Sequence, residues 1–311
     1  MQTLKIALLS GGISGERKVS LNTGEQIYKA LNKNKYEVFR YDPKTDLKQF
    51  ILDTLDKKFD LVFPALHGPF GEDGKIQGLF DMLNIPYLFS DCLSSAVAMN
   101  KNKTKILVKN RGVLTADDLL IGKEEKYDLD KIISKLSLPI VIKPSELGSS
   151  VGMSIAKTKE NLKQGIKDAF KYGEEVLLEQ FIEGRELTVG VMGNKEIKAL
   201  PVIEIIPKVA DWFDYKAKYE VGGSDEICPA QIPSKIKNKI QKISLEVYKI
   251  IGCKDLARVD FIWQKGSDNL YFLEINTIPG MTATSLVPQA AKAAGLEFKD
   301  FLDKLISFNT K

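Results

Sequence analysis

The sequence predicts a mixed α/β and α+β protein of three modest units, the first of which is built on a parallel sheet. Two observations lead to this prediction. In the first third of the chain, short apolar runs alternate with amphipathic stretches, which is typical of parallel strands joined by crossover helices. The length of 311 residues corresponds to about two domains of roughly 150 residues and permits three smaller ones.

The individual elements follow from the same patterns. Short apolar runs predict the strands, which lie at 4–9, 36–41, 61–66, 139–144, 154–156, 176–181, 256–263 and 270–276. Amphipathic spacing predicts helices at 19–31, 47–55 and 235–251. It also predicts two helices that end near residues 111 and 172, and two more at the carboxyl end. The polar stretch 120–130 is predicted to be a surface connection. We place the domain boundaries so that the units span 1–101, 102–185 and 186–311.

The composition excludes several classes of protein. The 45 Lys and Arg residues nearly balance the 41 Asp and Glu residues and form no basic block, so we expect no nucleic-acid partner. With one His and three Cys, neither a zinc site nor a disulfide framework is expected, and any metal should have oxygen ligands. The first apolar run is only about six residues long, so we expect no membrane partner and a cytoplasmic protein.

Two glycine-rich loops follow predicted strands, where parallel sheets bind their ligands. The first, GGISGERKVS, opens a helix whose N–H groups suit an anion, and its Glu16 is placed to receive an ammonium group. It lacks the G-x-G-x-x-G order of an NAD-binding Rossmann enzyme. The second, HGPFGEDGKIQG, contains His67, two acids and four glycines, which indicate close backbone approach or positive φ. A tight turn and an ordinary surface loop are the alternatives.

A third loop, IKPSELGSSVGMS, has the composition of a phosphate-gripping segment. Lys143 precedes the glycines and the loop leads to a strand, so the order is not that of a Walker A motif. A Gly/Ser hairpin that folds over polyphosphate, with Lys143 reaching in from the strand, fits this order. Lys101 is a candidate second phosphate lysine. A flexible hairpin without a ligand is the alternative.

The last two predicted strands carry polar side chains on one face. Residues two apart on a strand share a face, so Arg258 and Asp260 point together, as do Glu274 and Asn276. A three-residue hairpin loop at 266–268 places Asp260 opposite Glu274, whereas a two- or four-residue loop places the pairs on opposite faces. We predict the first register. A surface hairpin with solvated charges is the alternative.

Seven segments in order resemble the D-alanine:D-alanine ligases of the ATP-grasp superfamily over essentially the whole chain. Besides the three loops and ARVDF, they are FIEGRELTV, DYKAKY and EINTIPGMTATSLVP. The resemblance implies a three-domain ATP-grasp architecture with ATP between the central and carboxyl-terminal domains. It also implies that the chain is an enzyme, which ligates two D-alanine molecules to D-alanyl-D-alanine through a D-alanyl phosphate, for peptidoglycan precursor synthesis. Members of this family are commonly homodimers.

The resemblance assigns roles to residues of the site. Glu16 would receive the ammonium of the first D-alanine, and His67 would lie beside its activated carboxyl group. ATP would be held by Lys101 and Lys143 at the phosphates, Glu179 at adenine and Glu186 at the ribose. Two Mg²⁺ ions, or Mn²⁺, would be ligated by Asp260, Glu274 and Asn276.

The remaining roles concern the second half of the reaction. Arg258 and the N–H of Gly280 would form an oxyanion hole. Ser285 and the N–H of Leu286, at a predicted helix start, would grip the second carboxylate. The stretch 211–219 would close over the site, with Lys218 on the transferred phosphate and Tyr219 hydrogen-bonded to Ser149 and Glu16.

Two alternatives stay open at this stage. Lys218 and Tyr219 match the amine-using members rather than those that make D-alanyl-D-lactate, so D-alanine is the predicted acceptor. A ligase that uses D-serine or a hydroxy acid is the alternative, and only the side chains of the acceptor pocket would distinguish it. A non-catalytic ATP-binding module would lack Arg258 or a metal ligand, and this chain has both. Asn100 departs from the Asp that many members carry before the lysine, which affects the surroundings of Lys101.

Overall fold

The computed structural model describes residues 3–148, 151–208 and 223–310. Its first sheet is parallel, as predicted, with β1 (Leu4–Leu9) in the centre between β2 (Tyr36–Tyr41) and β3 (Leu61–Pro64). The helices of this part are α1 (Arg17–Ala30), α2 (Leu47–Leu55) and α3 (Lys75–Met82). The third strand ends at Pro64, two residues earlier than predicted. The loop that contains His67 therefore begins directly after Pro64.

Two short helices lead from this sheet into the rest of the chain. They are α4 (Cys92–Met99) and α5 (Lys101–Lys109), and Asn100 ends the first and caps the second. The Asn100 side chain accepts a hydrogen bond from the Lys103 N–H at 2.9 Å and donates one to Glu146 Oε1 at 2.8 Å. Asn100 therefore fixes the turn that presents Lys101.

The second sheet is antiparallel with the order β4-β7-β5-β6. Its elements are β4 (Asp118–Gly122), α6 (Leu129–Leu136), β5 (Ile140–Pro144), β6 (Ser154–Ala156), α7 (Lys159–Ala169) and β7 (Glu175–Gln180). The predicted surface connection at 120–130 is wrong at its start, because β4 covers it. Leu120 and Ile121 pair with β7, and burial of Ile121 outweighs the polar residues that follow.

The third sheet is also antiparallel, with the order β11-β10-β8-β12-β13 and β9 beside β8. Its strands are β8 (Gly184–Met192), β9 (Lys198–Ala199), β10 (Ile203–Pro207), β11 (Ser224–Ile227), β12 (Leu256–Gln264) and β13 (Leu270–Asn276). The helices are α8 (Ser234–Ile251), α9 (Leu286–Ala293) and α10 (Phe298–Ser307). Each sheet lies within one predicted unit, except that β8 starts two residues before residue 186. The domain division itself stays a prediction.

One hydrophobic core joins the first and last parts of the chain. Ile6 and Leu8 of the parallel sheet belong to the same buried cluster as Phe301 and Leu305 of α10 and Leu256 of β12. The carboxyl-terminal helices therefore cover one face of the amino-terminal sheet. Their packing brings the loops after β1 and β3 next to the strands β12 and β13.

The hairpin between β12 and β13 has a longer loop than the sequence predicted. The Gln264 N–H donates to Asn269 O at 3.0 Å, and Trp263 lies opposite Leu270. The loop therefore comprises the four residues 265–268, and the predicted three-residue loop is wrong. By itself, a four-residue loop would place the polar pairs on opposite faces.

A β-bulge restores the predicted register. The pairing shifts between Asp260 and the next residue, where Leu273 is the extra residue of β13. As predicted, Asp260 lies opposite Glu274, and Arg258 lies opposite Asn276. All four side chains consequently belong to one face of the sheet.

Candidate active site

A cavity of about 600 Å³ lies where the three parts of the chain meet. Most of the predicted site residues line it, namely Glu16, His67, Lys101, Glu186, Arg258, Asp260, Glu274, Asn276, Gly280, Ser285 and Leu286. A second cavity of about 140 Å³ adjoins it and is lined by Lys143 and Glu179 together with Lys101, Glu186, Asp260 and Glu274. Ser149, Lys218 and Tyr219, and the stretch 211–219 as a whole, lie outside the described residues. The described candidates are thus gathered around two adjoining cavities.

The first glycine loop binds the carboxylate of Asp42, a residue of the same chain. The Gly12 N–H donates to Asp42 Oδ1 at 2.9 Å, and the Gly11 N–H donates to Ser20 Oγ at 2.8 Å. Arg17 donates to the Gly12 carbonyl at 2.9 Å and to both oxygens of Asp42. Although burial alone would raise it, hydrogen bonds from Arg17 and the backbone lower the pKa of Asp42 to about 2. These contacts make the loop a fixed support for Glu16.

Glu16 belongs to the first glycine loop, and its side chain reaches the second. It is 8% exposed, and its Oε2 comes so close to Gly68 that a Cβ on that residue would lie 2.5 Å away. Gly68 also has φ of +74°, which side chains rarely adopt. The close backbone approach and the positive φ predicted for this loop are therefore both present at Gly68.

Replacing Gly68 by alanine is expected to raise the KM for the substrate whose ammonium Glu16 is predicted to receive, because the new methyl group would displace the Glu16 carboxylate. We expect an increase of about tenfold or more, since one charged hydrogen bond is worth about 1.5 to 3 kcal/mol. Gly15→Ala is the matched control, since nothing lies within 4 Å of a Cβ there. Steady-state kinetics at saturating ATP give the KM of both variants. An unchanged KM in Gly68→Ala would contradict the placement of Glu16 in the substrate site.

His67 is buried and contacts one group on α1 and one group on its own loop. Its Nε2 lies 3.0 Å from Thr23 Oγ1, and its Nδ1 lies 3.8 Å from Glu72 Oε1. Glu72 accepts a hydrogen bond from the Gly68 N–H at 2.9 Å, is 8% exposed and lines the large cavity. The sequence indicated an acid in this loop but gave Glu72 no role. Its neighbour Asp73, by contrast, pairs with Lys75 outside the cavity.

Arg258 and Asp260 form the central ion pair of the large cavity. Arg258 Nε and Nη2 donate to the two oxygens of Asp260 at 2.9 and 2.7 Å, and Thr188 Oγ1 donates to Asp260 Oδ1 at 2.5 Å. Glu274 Oε1 lies 4.0 Å from the Arg258 guanidinium. Burial alone would lower the pKa of Arg258, but the charges of Asp260 and Glu274 raise it. Arg258 therefore remains a fixed cation inside the site.

Lys101 is tied to the start of the third loop. Its N–H donates to the Ser145 carbonyl at 2.9 Å, and its Nζ donates to the Leu147 carbonyl. The same Nζ lies 3.8 Å from Glu274 Oε2. The ammonium group of Lys101 thus lies between the loop and the carboxylates of the third sheet.

The small cavity has a buried row of alternating charges. Glu179 Oε2 pairs with Lys143, and its Oε1 pairs with Lys105 Nζ at 2.5 Å. Lys105 also lies 3.1 Å from Asp118 Oδ1 and donates to the Ala116 carbonyl at 3.0 Å. Burial alone would raise the pKa of Glu179, but the charges of the two lysines lower it.

Sequence reasoning missed Lys105, although it is 2% exposed. One signal was available, because Lys105 follows Lys101 by four residues and so lies on the same face of α5. Among many lysines, that spacing did not single it out. Its ion pair with Glu179 joins two parts of the chain 74 residues apart, and only the tertiary structure reveals it.

The predicted grip for the second carboxylate lies at a helix start. Ser285 occupies the N-cap position of α9, which begins at Leu286 as predicted, and its Oγ accepts a hydrogen bond from the Thr282 N–H at 3.1 Å instead of bonding to the helix. Gly280 lies beside this turn, since a Cβ there would be 3.1 Å from Ser285 Oγ. The N-terminal end of a helix favours an anion, which agrees with the role predicted for this turn.

The predicted metal ligands form an oxygen-donor set. Asp260 and Glu274 supply carboxylates, and the Asn276 Oδ1, which accepts from the Ile278 N–H at 2.8 Å, has a second lone pair. Within residues 3–148, 151–208 and 223–310, no cluster of three or more His, Cys, Asp or Glu side chains could hold a metal ion. The predicted set is not of that kind, because it has two carboxylates and one amide. It fits Mg²⁺, which prefers few protein oxygens together with phosphate.

The fold is similar to those of solved ligases. It matches the crystal structure of a D-alanine–D-alanine ligase from Bacillus anthracis complexed with ATP, with a TM-score of 0.85, 34% identity and coverage of 99% and 97% of the two chains. It also matches the VanG D-Ala:D-Ser ligase of Enterococcus faecalis, with a TM-score of 0.85, 31% identity and coverage of 99% and 100%. The fold and the site together define an enzyme of the ATP-grasp class.

Sequence comparison specifies the family. The chain matches the family models described as "D-ala D-ala ligase N-terminus" over residues 40–90 and "D-ala D-ala ligase C-terminus" over residues 107–307. It is 47% identical to the D-alanine–D-alanine ligase of Syntrophobacter fumaroxidans over 98% of this chain and 97% of that protein. The chain belongs to the D-alanine–D-alanine ligase family. Among the helices that the structure describes, none is long and apolar enough to cross a membrane.

Proposed function

We propose that the protein uses ATP to join two D-alanine molecules to D-alanyl-D-alanine through a D-alanyl phosphate, for peptidoglycan precursor synthesis. One observation supports this most strongly. The large cavity places Glu16, Arg258 and the turn at Ser285 around one space. These groups are the ones needed to receive an ammonium, an oxyanion and a second carboxylate, respectively.

In the first step, the residues of the small cavity would bind ATP. We assign Lys101 and Lys143 to the phosphates, Glu179 to adenine and Glu186 to the ribose. Because Lys143 already pairs with Glu179, the purine and phosphate positions are linked by one buried ion pair. Asp260, Glu274 and Asn276 would hold Mg²⁺ or Mn²⁺, which supplies positive charge at the phosphates.

The donor D-alanine would bind between the two glycine loops. Glu16 would receive its ammonium, while His67 would lie beside the carboxylate that attacks the terminal phosphate of ATP. In the second step, the amine of the acceptor forms the C–N bond and phosphate leaves. Arg258 and the Gly280 N–H would stabilise the tetrahedral oxyanion. Ser285 and the Leu286 N–H would hold the acceptor carboxylate.

Water must be excluded while the acyl phosphate exists, because hydrolysis would otherwise compete with the amine. We assign this task to the stretch 211–219, with Lys218 on the transferred phosphate and Tyr219 joined to Ser149 and Glu16. Lys218 and Tyr219 are also the reason for choosing D-alanine as acceptor. We further expect the enzyme to be cytoplasmic, because ATP is available in that compartment. We also expect it to form a homodimer.

Phosphate release with purified protein, ATP and Mg²⁺ tests the proposal. We expect release with D-alanine together with dipeptide formation, and none with L-alanine. The absence of release with D-alanine would overturn the proposed function.

The second candidate is a ligase with a different acceptor. It is favoured by the likeness to the VanG D-Ala:D-Ser ligase, whose identity of 31% is only slightly below that of the B. anthracis ligase. The same assay with D-serine or D-lactate beside limiting D-alanine distinguishes the two. Faster turnover with D-serine or D-lactate than with D-alanine at neutral pH would assign the enzyme to this second candidate.

A further inference from the structure

Glu226 is a cavity carboxylate that the mechanism above does not use. It lies on β11 and is half-buried, and it lines the large cavity together with Arg258, Ser285 and Leu286. Sequence analysis assigned no role to Glu226, because it belongs to none of the seven signature segments. Its position raises the question of which ligand group it faces.

The strand register places Glu226 on the same face of the sheet as the rest of the site. Glu226 lies directly opposite Ile205 of β10, and Ile205 lies directly opposite Glu186 of β8. Directly opposite residues in antiparallel strands share a face. The preceding residue, Asp225, therefore points to the other face, where it pairs with Lys208 at 2.5 Å and is about half exposed.

One side chain ties Glu226 to the start of α9. Gln289 Nε2 donates to Glu226 Oε2 and to the Thr284 carbonyl at 2.7 Å. The Gln289 N–H donates to the Ser285 carbonyl at 3.0 Å. Glu226 is thus held beside the turn that is proposed to grip the acceptor carboxylate.

An α-amino acid carries its ammonium and its carboxylate on the same carbon atom. A site that binds the carboxylate at the helix start therefore has the ammonium within a few ångströms, and an unbalanced positive charge there would be costly to bury. From this geometry we propose that Glu226 binds the ammonium of the acceptor and accepts one of its protons. The proposal rests on the proposed function and specifies its acceptor half.

The step balances in atoms and charge. The ammonium gives one proton to the Glu226 carboxylate, and the freed lone pair forms the C–N bond to the acyl carbon. The C–O bond to phosphate then breaks, and the second proton leaves nitrogen with the departing phosphate. An ammonium, an acyl phosphate dianion and a carboxylate become an amide, hydrogen phosphate dianion and a carboxylic acid.

The electrostatic surroundings of Glu226 agree with this role. Burial raises its pKa, while the Gln289 amide and the Arg258 charge act in the opposite direction and leave it above the ordinary value. A carboxylate with raised proton affinity is better suited to accept a proton from an ammonium group.

Glu226→Gln tests the proposal, because glutamine keeps the shape and loses the charge. We expect the KM for acceptor D-alanine to rise about 10- to 100-fold, the cost of one charged hydrogen bond. The KM for ATP and for donor D-alanine should be unchanged. Asp225→Asn, which removes the same charge from the opposite face, should behave like the parent protein.

Hydroxylamine provides the second measurement, since it is a neutral nucleophile that traps the acyl phosphate without an ammonium to bind. The Glu226→Gln variant should form D-alanyl hydroxamate at the parental rate while dipeptide formation is impaired. A parental acceptor KM in this variant, or an equal loss of hydroxamate and dipeptide, would overturn the proposal. If the parent protein forms neither product, the proposed function fails instead.

Discussion

Replacing Arg258 by alanine is expected to lower kcat for dipeptide formation by about 100- to 1000-fold, the usual cost of one oxyanion donor. Arg258 lies on the cavity face of β12, and its bidentate bond to Asp260 fixes the guanidinium. In the proposed second step, this fixed charge faces the oxygen that becomes negative. Phosphate release at saturating ATP and D-alanine measures the effect.

Two further variants separate catalysis from folding. Arg258→Lys keeps the charge but loses the planar fork, so we expect only partial recovery of kcat. Arg185→Ala is the matched control, since Arg185 also makes a bidentate pair, with Glu204 at 2.5 Å, but does not line the cavity. It should lower the melting temperature and leave kcat unchanged. A kcat for Arg258→Ala within a few-fold of the parent would contradict the assigned role.

The sequence predicted the pairing of the site strands correctly, although it predicted their loop wrongly. The apolar face of β12 and β13 has to be buried, and this requirement put Asp260 and Glu274 on the same face. The bulge at Leu273 compensates for the extra loop residue. Alternation of apolar residues indicates which face of a strand is buried, but it does not show where a strand contains a β-bulge.

Local motifs also predicted the residues that stand next to glycines. Glu16 and His67 were found because each lies in a recognisable glycine-rich loop, whereas Ser285 was assigned through the family resemblance, which placed it at a predicted helix start. Lys105 and Glu226 were not found, because their partners are distant in the sequence. Glu179 lies 74 residues from Lys105, and Gln289 lies 63 residues from Glu226. Such pairs depend on how the sheets pack, which periodicity does not determine.

Glu179 provides the largest expected effect on stability. Glu179→Gln leaves the buried ammonium groups of Lys143 and Lys105 without their shared counter-charge, and Asp118 remains near Lys105 alone. Removing one partner of a buried ion pair typically costs about 3 to 5 kcal/mol. We expect a decrease of that size in the free energy of unfolding, measured by urea denaturation without ATP.

Glu174→Gln is the matched control, because Glu174 pairs with Lys123 at 2.9 Å but is 78% exposed. Exposed pairs contribute little, so this variant should unfold like the parent protein. A similar loss of stability in both variants would contradict the importance of burial at Glu179.

The pH dependence of the free energy of unfolding, compared between the parent protein and Glu179→Gln, tests whether the charge of Glu179 causes the stabilisation. The two lysines lower the pKa of Glu179 in the folded state, against the effect of burial. The stabilisation is therefore complete above the unfolded pKa and is lost as the pH falls through the folded value. Between about pH 5 and pH 3, the parent protein should lose more stability than Glu179→Gln, so that their difference shrinks. A difference that stays constant over this range would show that the charge of Glu179 is not what stabilises the buried lysines.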